Sequence, residues 1–324
     1  GGARRANNYI LDGVPITDMR NRSVAMPTIE GIEEVKVQVH TFDAEMGRTG
    51  GGVFNTTAKS GTNQFRGSGF YQTRPIWGME NNFFSERAGV PKPTDLFYRL
   101  YGGALGGPII RNRTFFHFAT EGYRSVTTRN GSLIFPTDLE RQGDFSQSVD
   151  SNGNLLVIHN PFDPNRAPFP GNRIPANMID PVAQAMVNYM PTPDTQVSNQ
   201  QANTNRVARI QDAADQFMFK GDHKFNDKIS LSGVYLYNKT DEPYEVYWDD
   251  NLFQDPSNAP LLRRIHVGVV NNTWIPNSST VISLRYGNTS FVDDCGIVAT
   301  PFDPSELGFN PSFTNDIKTH KHPR

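Results

Sequence analysis

Long segments with alternating polarity are the feature that most constrains this chain. Beyond residue 63 there are seven, at 64–74, 97–107, 114–126, 214–225, 228–238, 263–275 and 279–291. Each reaches the roughly 9–11 residues that a tilted strand needs to cross a bilayer core, whereas strands of soluble proteins are nearer about 5–6. Alternation is clearest at 216–225. There Phe217, Phe219, Gly221, His223 and Phe225 share one face, and Gln216, Met218, Lys220, Asp222 and Lys224 the other. Asn226-Asp227 makes a connection short enough for a tight hairpin into the next segment, where Ile229, Leu231, Tyr235 and Tyr237 oppose Lys228, Ser230 and Ser232. A second hairpin joins Ile265, Val267 and Val269 through Pro276–Ser279 to Ile282, Leu284 and Tyr286. The remaining connections, 75–96, 127–213 and 239–262, are long. Short turns at one end and long loops at the other are the arrangement of outer-membrane barrels.

Composition fits that reading and removes others. Of 324 residues only 36% are apolar while 11% are aromatic, and 28 Gly with 23 Pro make the chain turn-rich. A barrel wall needs apolar residues only at alternate positions, so low hydropathy does not count against it. No run approaches the ~18–20 apolar residues of a membrane helix. The single Cys295 excludes a disulfide scaffold and a cysteine-based zinc site. With 31 Lys+Arg against 33 Asp+Glu there is no basic field for nucleic acid.

Residues 1–62 form a separate compositional unit. Tyr9-Ile10-Leu11 followed by Asp12-Gly13 predicts a short strand and a tight turn. Val35, Val37 and Val39 alternate with Glu34, Lys36, Gln38 and His40, and Gly50-Gly51-Gly52 introduces the β-branched run 53–58. Inside the 127–213 connection, Asp180–Tyr189 predicts one short helix, with Asp180 as N-cap, Pro181 at N1, and Val182, Ala185, Met186 and Tyr189 on one face.

Chemical constellations are sparse. The run Gly47–Gly52 with Lys59-Ser60 lacks the GxxxxGK[ST] spacing of a phosphate loop. The histidines His40, His117, His223 and His266 fall on separate strand candidates, and His320 with His322 reads as polar tail. Asp249-Asp250 and Asp293-Asp294 are adjacent on extended segments and point to opposite faces, so neither is an acid–base couple. Cys295 follows two carboxylates, which disfavour a thiolate. No catalytic residue, metal ligand or cofactor site is expected. The aromatics Tyr244, Tyr247, Trp248 and Phe253 on the last long connection are the candidate ligand contacts, or else pack that loop against the rim.

Several segments resemble TonB-dependent outer-membrane receptors, in particular the Oar-like subgroup. They are NYILDGVP at 8–15, IEEVKV at 32–37, AEMGRTGGGVFNTTAKSGTNQFRGSGFY at 44–71, YGGALGGPIIRNRTFFHFATEGYR at 101–124, RQGDFS at 141–146 and PFPGNRIPANMIDPVAQAMVNYMPTP at 168–193. The likeness is dense from 8 to about 238 and continues only in texture beyond. It implies a mostly all-β chain. Residues 1–62 would be the end of a plug domain, and 63–324 the first part of a transmembrane antiparallel β-barrel with long extracellular loops, the whole being a fragment of a larger receptor. It further implies an outer-membrane location among lipid, an extracellular ligand, and a TonB-type periplasmic energy-transducing partner. Gly50, Gly51, Gly52, Lys59 and Arg66 would lie at the plug–barrel junction, with Lys59 and Arg66 pairing lumen carboxylates such as Glu121 or Asp222. Gly102, Gly103, Gly106 and Gly107 would admit the plug or a neighbouring loop, and Tyr71, Trp77, Phe83 and Phe84 would form an interfacial girdle. The expected function is capture and import of a scarce or large nutrient. The alternative is a non-transporting surface adhesin or glycan-binding β-domain.

Overall fold

The computed structural model describes residues 7–18, 22–39, 50–78, 80, 83–87, 96–243, 247, 260–295 and 304–319. The chain forms two compact units, one from 1–127, 210–244 and 260–296, the other from 128–209, 245–259 and 297–324.

The first unit holds two sheets. A small mixed sheet contains β1 (Asn8–Leu11), β2 (Val14–Pro15), β3 (Ile32–Gln38) and β4 (Val53–Ala58), in the order β2-β1-β4-β3. β1 and β2 form the tight hairpin foreseen from Asp12-Gly13, whose φ angles are 45° and 86°. Two consecutive positive φ values match the twist of the flanking strands, and glycine adopts the second without strain. β1 runs parallel to β4, and β3 antiparallel to it.

The large sheet is a seven-stranded meander: β5 (Arg66–Arg74), β6 (Phe97–Ile110), β7 (Thr114–Leu133), β8 (Thr204–Asn226), β9 (Ile229–Glu242), β10 (Leu261–Asn277) and β11 (Thr280–Asp294). All seven predicted segments are strands. The sheet does not close, and β5 and β11 are its edges. The boundary drawn at 62/63 falls between the two sheets, which belong to one compact unit. β7 and β8 reach 20 and 23 residues, well past the stretches legible in sequence. Of the added residues, 127–133 hold no buried apolar side chain, and in 204–213 only Ala208 and Ile210 are buried apolar residues, a pattern too short to mark a strand without the backbone pairing. The short turns are fastened by asparagines. The Asn226 side chain accepts from the amides of Lys228 and Ile229 at 2.8 and 2.9 Å, and Asn277 accepts from Ser279 N at 3.1 Å. At the third turn Asn112 N and Asn63 Nδ2 exchange bonds with each other's side chains at 2.8 and 2.7 Å.

The two faces of the large sheet differ. Met218, Val234, Leu236, Ile265, Val267 and Val269 are buried in one cluster with Leu11, Ile16, Val24, Ala25 and Ala58 of the 1–62 segment. The opposite face exposes Phe219, Tyr235, Val270, Trp274, Leu284 and Tyr286. The β10–β11 hairpin is as expected, but its two apolar sets lie on opposite faces. Ile265, Val267 and Val269 pair across with Phe291, Thr289 and Gly287, whereas Ile282, Leu284 and Tyr286 pair with Trp274, Asn272 and Val270. Directly opposed residues share a face, so this hairpin serves an internal core and an outer apolar surface at once.

The second unit contains α2 (Asp138–Arg141), α3 (Pro181–Tyr189) and α4 (Pro311–Thr319); a one-turn helix α1 (Phe83–Arg87) lies in the 75–96 connection. α3 is the predicted loop helix, with Asp180 Oδ1 accepting from Val182 N at 2.7 Å. α4 was not foreseen, although Asn310-Pro311 repeats the same start signal, Asn310 Oδ1 accepting from Ser312 N at 3.0 Å. Two buried asparagine amides fix the irregular chain. Asn172 donates to the carbonyls of Phe145 and Leu156 at 2.6 and 2.8 Å and accepts from Ile158 N at 2.7 Å. Asn203 bridges both backbone groups of Phe135 at 2.7 and 2.9 Å.

Candidate functional site

The small sheet is anchored to the inner face of the large one through the β1–β2 turn. Lys220 sits mid-strand on β8, on the face that carries Met218, and its side chain is 8% exposed. Its ammonium donates to Asp12 Oδ2 and to the Ala58 carbonyl, both at 2.9 Å. Asp12 Oδ1 accepts from Ala58 N at 2.9 Å, and the Asp12 carbonyl accepts from Asn271 Nδ2 of β10 at 3.1 Å. One carboxylate therefore closes the turn, caps the end of β4 and neutralises a buried cation. Few buried charges persist without such pairing. Beside it Val14 presses so closely on Gly287 of β11 that an added Cβ would overlap it.

Further contacts extend this anchor along the 22–31 segment. Thr28 Oγ1 donates to Glu121 Oε2 at 3.3 Å, and the Ser68 hydroxyl donates to Glu30. The Gln216 amide, assigned by its partners, donates to the Met26 carbonyl and accepts from Thr28 N, both at 3.0 Å. A cavity of about 390 Å³ opens beside these contacts, lined by Glu30, Glu33, Lys59, Ser60, Arg66 and His117 among others.

Lys59 and Arg66 thus line one cavity, but their expected ion pairs with Glu121 and Asp222 do not form. Glu121 is engaged by Thr28 and Asp222 by the Ser60 hydroxyl, while the acids beside Lys59 and Arg66 are Glu30 and Glu33. Of the glycine run, Gly52 is buried and its amide donates to Asn7 Oδ1 at 3.0 Å. Gly50 has open space where a Cβ would stand. Phe70 and Phe65 crowd Gly102 and Gly107, and the Ser68 carbonyl approaches Gly103. At Gly107 the neighbour is Phe65 of the segment before β5, a neighbouring loop as expected, whereas Gly102 and Gly103 accommodate residues of β5 in their own sheet. Tyr71, Trp77 and Phe83 are exposed; the Phe84 side chain lies outside the described residues. So do Tyr244, Trp248 and Phe253, and His40, His320 and His322. Tyr247 packs over Gly131 at the end of β7, where an added Cβ would come within 2.6 Å of its ring. Cys295 is free and exposed. Among the described residues no group of three or more His, Cys, Asp or Glu could hold a metal ion.

Sequence reasoning treated Asp12 as a turn former and missed its second role. The available signal was Lys220 itself, a lone cation between Met218 and Asp222 on a face destined for the interior.

An inner-faced, outward-apolar meander with short turns at one end carries a direct comparison with known proteins. The family model for the outer membrane beta barrel domain matches residues 57–323. The chain belongs to that family. Membership places it in the outer membrane and extends the assignment past residue 238, where the sequence likeness had thinned to texture. Residues of the chain are 31% identical over 121 positions to the TonB-dependent transporter Oar of Myxococcus xanthus, a match spanning 36% of this chain and 11% of that transporter. The outer membrane transporter YddB of Escherichia coli superposes on 90% of the chain and 32% of its own length with a TM-score of 0.50 at 11% identity, a likeness of fold alone. The siderophore receptor PirA of Acinetobacter baumannii covers 90% of the chain and 50% of itself at 13% identity, but at a TM-score of 0.29 it carries no fold assignment. Oar and YddB are both named as transporters.

Proposed function

We propose that the full protein is an energy-coupled, TonB-dependent receptor that binds and imports a scarce or large nutrient such as a peptide, glycan fragment or metal chelate. Residues 1–62 act as the end of its plug, and 63–324 as the opening part of its barrel. The observation that carries this reading is the buried Lys220–Asp12 pair, which seats a separate small sheet on the inner face of a barrel-type wall. An adhesin has no need of such a layer in its lumen. The similarity to Oar supports the same assignment and the same class of periplasmic partner. Import then proceeds by gating: the partner draws on the plug, contacts between plug and wall rearrange, and a path opens without any covalent step. Ligand capture is assigned to the loop aromatics Tyr244, Tyr247, Trp248 and Phe253, with Tyr247 also holding that segment to β7.

Uptake by cells carrying the full-length gene tests this. Accumulation of peptide, glycan or metal-chelate pools is expected to require both the gene and the energy-transducing partner, and to stop when the proton gradient is collapsed. Surface binding that survives loss of the partner, with no accumulation under any condition, would overturn import in favour of the adhesin reading.

A further inference from the structure

The outward face of the large sheet carries a row of charges in strict register. Arg99 of β6 is paired with Arg124 of β7, Asp215 of β8 with Lys239 of β9, and Lys239 with Arg264 of β10. Arg124 and Asp215 complete the row through two 2.8 Å bonds from one guanidinium nitrogen. Four cations and one anion therefore occupy a single line across five neighbouring strands. Arg99, Asp215, Lys239 and Arg264 are exposed.

The adjoining row toward the short turns is aromatic. Tyr101 is paired with Gly122, Phe217 with Tyr237, and Tyr237 with His266. The Tyr237 and His266 rings stand 5.0 Å apart and those of Phe217 and Tyr237 5.2 Å. Below this, the same face carries Phe219, Tyr235, Val270 and Leu284 down to Phe225 and Trp274 beside the turns. From Asp215 to Phe225 the strand rises about 34 Å. At a tilt of about 40° this is roughly 26 Å of height, the depth of the apolar band on an outer-membrane barrel. The aromatic row thus stands where interfacial rings sit, and the basic row where lipid headgroups begin.

We infer that Arg99, Lys239 and Arg264 of this row bind the phosphate groups of anionic lipid headgroups in the outer leaflet, Arg124 being held by Asp215 and by the carbonyls of Tyr123 and Ala214. Guanidinium groups suit phosphate because their planar forks donate two bonds at once. The Arg124–Asp215 pair separates Arg99 from Lys239 and Arg264, which are neighbours across a strand spacing of about 4.8 Å and can take one phosphate together. Because the strands tilt, the row climbs by about 3 Å per strand, so Arg99 on β6 and the Lys239–Arg264 pair on β9 and β10 lie about 9–12 Å apart in depth and meet different phosphate groups. The row beyond holds Asp241 and Asp294, flanking Leu262, which repel an anion arriving from the aqueous side and favour one presented from the membrane. This inference rests on the outer-membrane placement and is independent of import.

The test uses the full-length protein purified in mild detergent. Co-purified lipid is weighed by mass spectrometry, and the lipid-depleted protein is titrated with a bis-phosphorylated glycolipid, its phosphate-free form, and inorganic phosphate. The triple variant R99Q/K239Q/R264Q leaves the Arg124–Asp215 pair intact. It is expected to retain several-fold less lipid, while the unaltered protein prefers the phosphorylated glycolipid by tenfold or more and millimolar inorganic phosphate fails to displace it. Equal retention by the folded variant, equal binding of the phosphate-free glycolipid, or displacement by inorganic phosphate would each overturn the inference. Should the variant not fold, the comparison of the two glycolipids on the unaltered protein decides. Uptake measured on the same variant keeps this result separate from the import reading.

Discussion

The wall anchor and the loop unit are both held by buried polar groups, yet they solve the problem in opposite ways. At the wall, one buried charge pair joins residues 208 positions apart. In the loop unit, a carboxylate and two amides bind neighbours mostly within one connection. Glu140 closes a capping box with Thr137 and accepts from the hydroxyls of Ser148 and Ser198. Arg141 meanwhile donates to the carbonyl of Val187 near the end of α3, at 2.8 Å, and to that of Pro191. A single charged pair makes a contact that is all or nothing. A distributed set of donors and acceptors, each bonded to backbone or to hydroxyls, makes one that loosens piece by piece.

The largest effect is therefore expected from Lys220→Met, which leaves Asp12 buried and unpaired. About 3–5 kcal/mol of docking stability should be lost, seen in the full-length protein as faster hydrogen exchange across 8–16 and 53–58. Adding Asp12→Asn should restore much of it, because the uncompensated charge is gone while the φ 45° turn and the bond from Ala58 N are kept; a double variant as loose as the single one would mean that the pair is incidental.

Next comes Asn172→Ala in the loop unit. It orphans the partners of a buried amide, about 1–3 kcal/mol, and strains a position at φ 57° by roughly one more. Asn172→Gly removes only the second cost. Exchange should rise around 143–174 and stay unchanged at 8–16; a rise in both places would erase the contrast between the two regions.

Gly287→Ala is expected to cost about 1–3 kcal/mol, since the new Cβ overlaps Val14 and a packed interface resists extra volume. Val14→Ala should relieve it, measured by the same exchange at 8–16.

The smallest effect is a pH dependence confined to the loop. Burial would raise the Glu140 pKa, but the bonds from Ser148, Ser198 and Thr137 outweigh it and hold the carboxyl below its ordinary value. A depressed folded pKa means the contribution is full at neutral pH and is lost as pH falls from the ordinary glutamate range through the lowered value. Proteolysis of the 134–203 loop should accelerate over that acid window, and Glu140→Gln should flatten the response. An unchanged pH profile in the variant would remove Glu140 from the account.

Much of the wall was legible because strand polarity has period 2 and the turn residues announce themselves. Asn226-Asp227 and Asp12-Gly13 are local signals with local consequences. The face assignment of β10–β11 was not legible, because apolar residues on either side of a sheet look alike until something covers one of them. The polar ends of β7 and β8 escaped for the converse reason: hydrogen bonding, which sequence does not display, defines them. Lys59 and Arg66 could be placed near the junction, but their neighbours depended on where the 22–31 segment crosses the wall. In α2 the Thr137–Glu140 capping box was written plainly and overlooked, since four residues make too short a helix to register by periodicity.

The anchor also fixes an order of events in time. Leu11 and Ile16 are synthesised early, but the side chains that cover them run as late as Ile265, Val267 and Val269. Asp12 has no cation to meet until residue 220 exists. During that interval the β1–β2 turn carries an apolar stripe and an unpaired carboxylate with no surface to dock on. Contacts of such long sequence separation form slowly, after the entropy of closing a very large loop has been overcome. Of the two docking partners, the segment made earlier is thus the one that waits, and any factor that shields nascent chains in the periplasm would have to hold it open until the wall arrives.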